Sequence, residues 1–440
     1  MAFRRTFQER LISGSRYRTR VNADGGVVEA LTCANPLDAD VVMIPSGYKA
    51  TKLYSQIGTD GVDDFDVSRN SIATRVNKLG LIEEVAIDVP RLDYSDSNCP
   101  SLLLEPQSTN LLTYSEDFSN AVWVNVRGIV SESTEIAPNG NTSFELFDTS
   151  DNNTHLCYQS VSTTIGLNYS FSCYIKKGTI DFAGLAFNAS QVDTVFFDVN
   201  LGVILYTGTN IISSSIVDAG NGWYRCGIVV EASQSSHLFR VLTVKDGTDY
   251  SYIGDGTNSI IFNLAQVEVL PYATSYIPTV GSTVTRIKDA VTGAGDTNSF
   301  NSEEGVLYVE MAAFADDGTN RTISLNDGST NNKVALTFNS GGGVQGEVKV
   351  GGVNIAVMAV AETTTNYNKV AIKWKAADFA LWINGVKVDS QLSGISFGVG
   401  VLTKINLDNG SGANVLYSKV KALKVFTTAL SDAQLETLTT

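Results

Sequence analysis

Apolar side chains recur at every second position along most of this chain, in short runs separated by Gly, Asn, Asp and Ser. Alternation of period two is what a strand shows when one face is packed and the other wet. Tyr169–Ile175 alternates large and small residues in this way and predicts a half-buried strand. Val195–Val199 runs into Asn200-Leu-Gly202, a hairpin turn, and Val203–Tyr206 continues as its partner. Asn221-Gly222 introduces a further strand at Trp223–Val230, and Ser259–Val269 predicts a long closing strand. Farther on, Gly305–Met311, Tyr367–Trp374 and Phe379–Val388 keep the same period. Asn384-Gly385 inside the last of these is the strongest hairpin signal, because a type I′ turn needs positive φ at both central residues. The chain closes with a strand at Ala422–Phe426 and one helix, which Ser431 and Gln434 cap as a box.

These runs divide the 440 residues into blocks. Residues 1–104 read as an irregular region with short strands at Val41–Ile44, Lys52–Tyr54, Phe65–Val67, Ala73–Asn77 and Gly80–Val85. Residues 105–288 carry strands and turns at the close spacing of a two-sheet sandwich. Residues 289–304 are polar and read as a linker, and 305–440 form a last block. The fold class expected is all-β, with tandem sandwiches after an amino-terminal attachment region. No repeat of 20–50 residues and no heptad seam is visible, so a solenoid, a propeller and a coiled coil are not expected.

Charge alters the picture of partners. A net charge of −15 argues against nucleic acid, whose phosphates need basic surface. Against that background Arg4, Arg5, Arg10, Arg16, Arg18 and Arg20 face only Glu9 in the first 20 residues, a basic arm suited to an acidic assembly partner or simply to solvent. The start of the chain lacks the apolar run of a secretory signal, and no run is long enough to span a membrane, so no membrane insertion is expected. Of the five cysteines, Cys157, Cys173 and Cys226 alternate with apolar neighbours and read as buried free thiols; Cys33 and Cys99 complete no CxxC pair. Such usage fits assembly in a reducing cytoplasm.

Candidate chemistry is sparse. His155 sits in a polar loop sequence and His237 at a turn-to-strand edge, both read as surface or turn residues, and neither neighbours a nucleophile elbow. Glu310 and Glu347 stand as single acids in their strands, and Gln266 beside Glu268 is no acid pair, so hydrolysis is not expected. Asp-Gly turns at Asp60, Asp246, Asp255, Asp317 and Asp327 offer oxygen ligands for a structural calcium, or serve positive-φ turns alone. Trp223, Trp374 and Trp382 lie in apolar alternation and read as core, while Trp123 reads as the more exposed tryptophan. No catalytic, cofactor-binding, metal or ligand-binding residue is assigned.

A set of motifs then points to a family. Arg91-x-Asp93-Tyr94, the Leu-Leu-Glu-Pro segment at Leu103–Pro106, Asn110-Leu-Leu-Thr-Tyr-Ser-Glu-Asp-Phe118, Phe197-Asp-Val-Asn-Leu-Gly202, Gly222-Trp-Tyr-Arg225, Gln266-Val-Glu268 and Tyr272–Arg286 occur in an order that resembles tail-fibre and head-fibre proteins of tailed bacteriophages. The resemblance implies a carbohydrate-binding jelly roll over 105–288. The late Ile-Asn-Gly-Val hairpin and closing helix resemble laminin-G or concanavalin A-like domains over 305–440. It further implies a non-enzymatic virion protein, a homotrimer docked to other virion proteins through its amino-terminal region and presenting a face to bacterial surface glycans. The alternatives are a collar, ring or decoration protein contacting only virion proteins, and a polysaccharide-degrading spike.

Overall fold

The computed structural model describes residues 7–12, 15–20, 39–43, 48–49, 52–53 and 62–440. The side chains of the basic arm, together with Cys33 and Asp60, lie outside the described residues. The chain forms two compact units, one of residues 72–84 and 107–287, the other of 1–71, 85–106 and 288–440. Both are built from antiparallel strands, and Asp432–Thr439 is the one α-helix among the described residues.

The first unit is a sandwich of two six-stranded sheets. One runs Val124–Val126, Leu156–Ser162, Ser236–Thr243, Phe182–Ala186, Thr194–Asp198, Val203–Thr207. The other runs Gly128–Ile136, Thr142–Asp148, Ser259–Glu268, Asn168–Lys177, Trp223–Glu231, Ile211–Asp218. Phe118, Phe171, Phe197, Phe239 and Phe262 fill its core. The expected hairpin forms between Thr194–Asp198 and Val203–Thr207, with Asp198 accepting from the backbone N–H groups of Asn200 and Leu201.

The strand expected to be half-buried, within Asn168–Lys177, is buried on both faces. A second layer explains this. Ile82, Tyr174, Trp223, Ile261, Leu264 and Tyr276 pack together on the outside of that sheet. Polar residues clasp the same face: Gln266 donates to Glu268 (2.7 Å) and accepts from Ile277 N–H (2.6 Å), while Glu268 accepts from Thr274 N–H (2.8 Å). Arg225 reaches Thr274 O at 2.7 Å, and Asn110 donates to Ile277 O at 2.9 Å. Ser259–Glu268 is therefore buried at every residue. A β-bulge at Leu264 (φ 56°) switches which residues face the core, from Ile260 and Phe262 to Ala265 and Val267.

The second unit pairs an eight-stranded with a five-stranded sheet. The larger runs Val386–Gln391, Phe379–Ile383, Asn368–Lys375, Glu304–Ala313, Ser418–Phe426, Ser101–Leu104, Leu92–Asp93, and Val41–Met43 also pairs with Ser418–Phe426. The smaller runs Val353–Ala361, Gly343–Val350, Lys333–Asn339, Arg321–Asn326, Lys404–Asn406. Asn384 (φ 49°) and Gly385 (φ 82°) form the expected turn, and Ser431 with Gln434 forms the expected capping box.

The boundaries expected at 104 and over 289–304 do not mark where this unit begins. Leu102 and Leu104 belong to its core, and Ala290–Thr292 pairs with Phe65–Ser68 rather than acting as a linker. Short strands from distant segments join one sheet because each alone has too little apolar area to stand free. A buried ion cluster holds the three chain segments together. Asp289 accepts from Arg69 at 3.1 Å and from Arg91, and Glu105 pairs with Arg91 at 2.6 Å.

The outer face of the larger sheet is covered by Leu435 of the helix, against Tyr308, Ala422 and Phe426. Lys424 lies on this face, 5.2 Å from the Tyr308 ring centre. Burial pushes its pKa down to about 8, with Glu310 opposing and Lys369 adding to the fall. Below pH 8 folded and unfolded chains both carry this proton, and the folded chain bears the cost. Between pH 8 and about 10.4 the unfolded lysine keeps a proton that the folded one has released, so stability rises with pH. The gain attributable to Lys424 is up to about 3 kcal/mol at the top of that window. Denaturant melts of wild type and Lys424→Met at pH 7 and pH 10 should show a pH-dependent difference of that sign; parallel responses would contradict it.

Candidate functional site

The outward face of the first sheet of residues 107–287 gathers the groups best placed to meet a ligand. Strand alternation sorts its residues: Cys157, Leu185, Phe197, Phe239 and Val241 point into the core, and their neighbours point out. The register then lays two rows across the face. One row is Val124, Tyr158, Arg240, Ala186; the other is Val126, Leu156, Leu242, Gly184, Phe196, Tyr206. Gly184 leaves room for Leu242 here, since a Cβ would lie 2.2 Å from Leu242 Cδ1 and displace that side chain. Tyr250 joins from a loop, its ring 5.5 Å from that of Phe196, and Phe196 is 5.2 Å from Tyr206. Tyr158, Tyr206 and Tyr250 are partly exposed on this apolar floor.

Beside the floor lies a groove of about 280 Å³ lined by Arg127, Asn153, Thr154, Tyr158, Arg240 and Tyr250 among others. No carboxylate lines it among the described residues, on a protein of net charge −15. Arg127 is in the left-handed region (φ 49°) and donates through Nε and Nη2 to Thr154 O and Oγ1, at 2.9 and 3.0 Å. Its own carbonyl lies 2.6 Å from His155 Nδ1. The guanidinium of Arg240 sits 5.9 Å from the Tyr158 ring centre. Its buried Nε has no hydrogen-bond partner among the described residues. Burial holds its pKa below the usual arginine range, with Tyr158 and Asp193 opposing.

A second concavity, about 310 Å³, lies by Gly80, Glu135, Lys176 and Trp223. Its charges are already spent, since Lys176 pairs with Glu135 at 2.7 Å and Trp223 donates to Ile136 O.

The residues singled out from sequence serve structure. His155 and His237 were expected as surface or turn residues; His237 does stand where a turn enters the strand Ser236–Thr243, but both are buried, at 0% and 1% exposed. His155 is held between the carbonyls of Arg127 and Tyr252, and His237 accepts from Ser233 N–H through Nε2. A polar sequence context hid this: the partners of His155 are backbone carbonyls from distant segments, and the Nδ1 of His237 meets the Asn188 side chain. Trp123, expected to be exposed, is 3% exposed, packs 4.5 Å from Phe118 and donates to Tyr114 O. Trp223, Trp374 and Trp382 are buried as expected. Glu310 and Glu347 stand on different sheets, and Glu347 pairs with Lys333 and Lys349.

Asp255 and Asp327 accept from Thr257 and Ser329 two residues on, Asp246 adopts a positive φ, and Asp317 forks with Arg321. No cluster of three or more His, Cys, Asp or Glu able to hold a metal occurs among the described residues. Cys157, Cys173 and Cys226 are the buried free thiols expected, with pKa values that burial pushes up, while Cys99 is disulfide-bonded. Tyr158, Arg127, Arg240 and Tyr250 escaped the reading of the sequence. The available signal was an arginine at an outward position of the apolar run Leu238–Thr243, the sort of place a strand facing plain solvent fills with small polar groups.

No family model and no curated protein matches this chain. Among solved structures, the CBM40 of Ruminococcus gnavus IT-sialidase bound to α2,3 sialyllactose is 18% identical over 34% of this chain and 94% of that one, with a TM-score of 0.29. The LG4-5 domains of the mouse laminin α1 chain are 9% identical over 65% of this chain and 91% of that one, at 0.22. Trypanosoma rangeli sialidase is 10% identical over 71% of this chain and 62% of that one, at 0.27. Likeness at this level carries no conclusion about ligand or activity.

Proposed function

We propose that this protein is a non-enzymatic glycan-binding protein, and that the tyrosine-lined groove of residues 107–287 is where the saccharide rests. The observation that carries the reading is the platform itself. Tyr158 and Tyr250 stand partly exposed beside Asn153, Thr154 and two arginines, apolar faces next to hydrogen-bonding groups. Sugar rings have that same division, with C–H faces to lie on an aromatic ring and hydroxyls to pair at the rim.

The motif order at Arg91–Phe118 and Tyr272–Arg286 supports a place in a tailed-phage virion, as a tail or head appendage adsorbing to bacterial surface glycans, self-associated as a trimer and held by other virion proteins through the amino-terminal region. Immunogold labelling of particles with antibody to residues 305–440 tests that placement. The binding claim is tested on a glycan array with the full chain. Tyr158→Ala with Tyr250→Ala should weaken the best array ligand by about tenfold or more, near 1.4 kcal/mol. Undiminished binding by the double variant would remove the groove from the account.

A further inference from the structure

Arginine is rarely buried without a partner, because its fork of N–H donors loses water and gains nothing in return. Other buried and half-buried arginines here obey this. Arg69, Arg91, Arg127, Arg225 and Arg321 all donate to named oxygens. Arg240 does not. Its side chain makes no hydrogen bond or ion pair among the described residues; Nε is shut away from solvent, as in Arg91, Arg225 and Arg321, but the half-buried side chain leaves its Nη groups open to the groove. Asp193, the carboxylate whose charge it feels, accepts from Asn210 at 2.6 Å and forms no ion pair with it. This cation lies in the groove beside Tyr158, in a lining with no acid among the described residues.

From the unpartnered Arg240 guanidinium facing Tyr158 in an acid-free groove, we infer that the saccharide is a carboxylated one, a sugar acid whose carboxylate pairs with Arg240 while its ring lies against tyrosine. The inference rests on the groove being the saccharide site. A planar carboxylate matches the two Nη N–H groups that the guanidinium turns to the groove. Only one fork is on offer, because Arg127 has committed Nε and Nη2 to Thr154. That suits a single negative charge better than a phosphate, which would leave charge unmatched.

The test is isothermal titration of the full chain with oligogalacturonate, a hyaluronan oligosaccharide and sialyllactose. Controls are methyl-esterified oligogalacturonate, which keeps the sugar and removes the charge, and a sulfated galactan. At least one acidic sugar should bind at least tenfold more tightly than its neutral counterpart and weaken as salt rises. Arg240→Gln should lose that preference, and Arg240→Lys should keep part of it. Both variants should melt as wild type does, since neither removes a hydrogen bond. Equal binding of acidic and neutral sugars, preference for the sulfated galactan, or an Arg240→Gln protein that still prefers the acid would overturn the inference while leaving glycan binding intact. No binding across the panel and a neutral glycan array would overturn both.

Discussion

Asp289→Ala is expected to destabilise the unit of residues 1–71, 85–106 and 288–440 by about 3–5 kcal/mol, the cost of stranding a buried charge. Asp289 is 2% exposed, and its carboxylate serves both guanidiniums and the backbone N–H of Glu105 (2.9 Å). With it gone, Arg91 keeps Glu105, and Arg69 keeps the carbonyls of Ser71, Val85, Ala86 and Val89 but loses this carboxylate. The two buried guanidiniums would then have lost the carboxylate they share. If the stranded charge is the cause, adding Arg69→Leu should recover part of the loss by restoring neutrality, although a second deletion would ordinarily add to it. Hydrogen exchange read peptide by peptide in denaturant follows this unit's strands separately. A single variant within about 1 kcal/mol of wild type would show the cluster to be a weak constraint.

Strand pairing within a run was legible because it is local. The Asn384-Gly385 turn, the hairpin after Thr194–Asp198, the long strand Ser259–Glu268 and the capped helix follow from neighbours in sequence. What the sequence left hidden depends on distant partners. Asp289 opens a polar stretch that reads as a linker, and its role appears only when Arg69 and Arg91 arrive from some 200 residues away. The two-sided burial of Asn168–Lys177 likewise depends on Tyr276 and Ile82 covering a face that alternation marks as wet. His155 reads as polar loop until its backbone partners are seen.

The same division runs through the site. Motif residues turn out to be the internal fastenings: Arg91 and Glu105 pair with each other, Asn110, Arg225, Gln266 and Glu268 clasp the segment around Thr274–Ile277, and Ser115 meets the Tyr276 hydroxyl at 2.6 Å. A fastening constrains both partners at once, so it leaves a recognisable spacing. A binding face need only be outward and chemically apt, so Tyr158, Arg240 and Tyr250 carry no motif. Resemblance could thus point to a scaffold while saying little about which side chains touch a ligand.

Phe118→Ala should separate those two kinds of residue. Phe118 is 1% exposed, with ring centres of Phe262, Trp123 and Phe144 at 4.4, 4.5 and 5.6 Å. The turn before it is held by Tyr114 at φ 55°, whose carbonyl accepts from Trp123 Nε1 at 3.0 Å. Deleting the ring removes the centre of an aromatic cluster whose neighbours are tied in place and cannot close the gap. The expected loss is about 3–5 kcal/mol in denaturant unfolding of the sandwich. Tyr158→Ala, at a partly exposed position with no core ring contact, should cost less than about 1 kcal/mol. In binding the order reverses: Phe118→Ala protein, assayed well below its melting point, should hold saccharide as wild type does, while Tyr158→Ala should not. Loss of binding by Phe118→Ala in a folded sample would mean that the motif, and not the groove, positions the ligand.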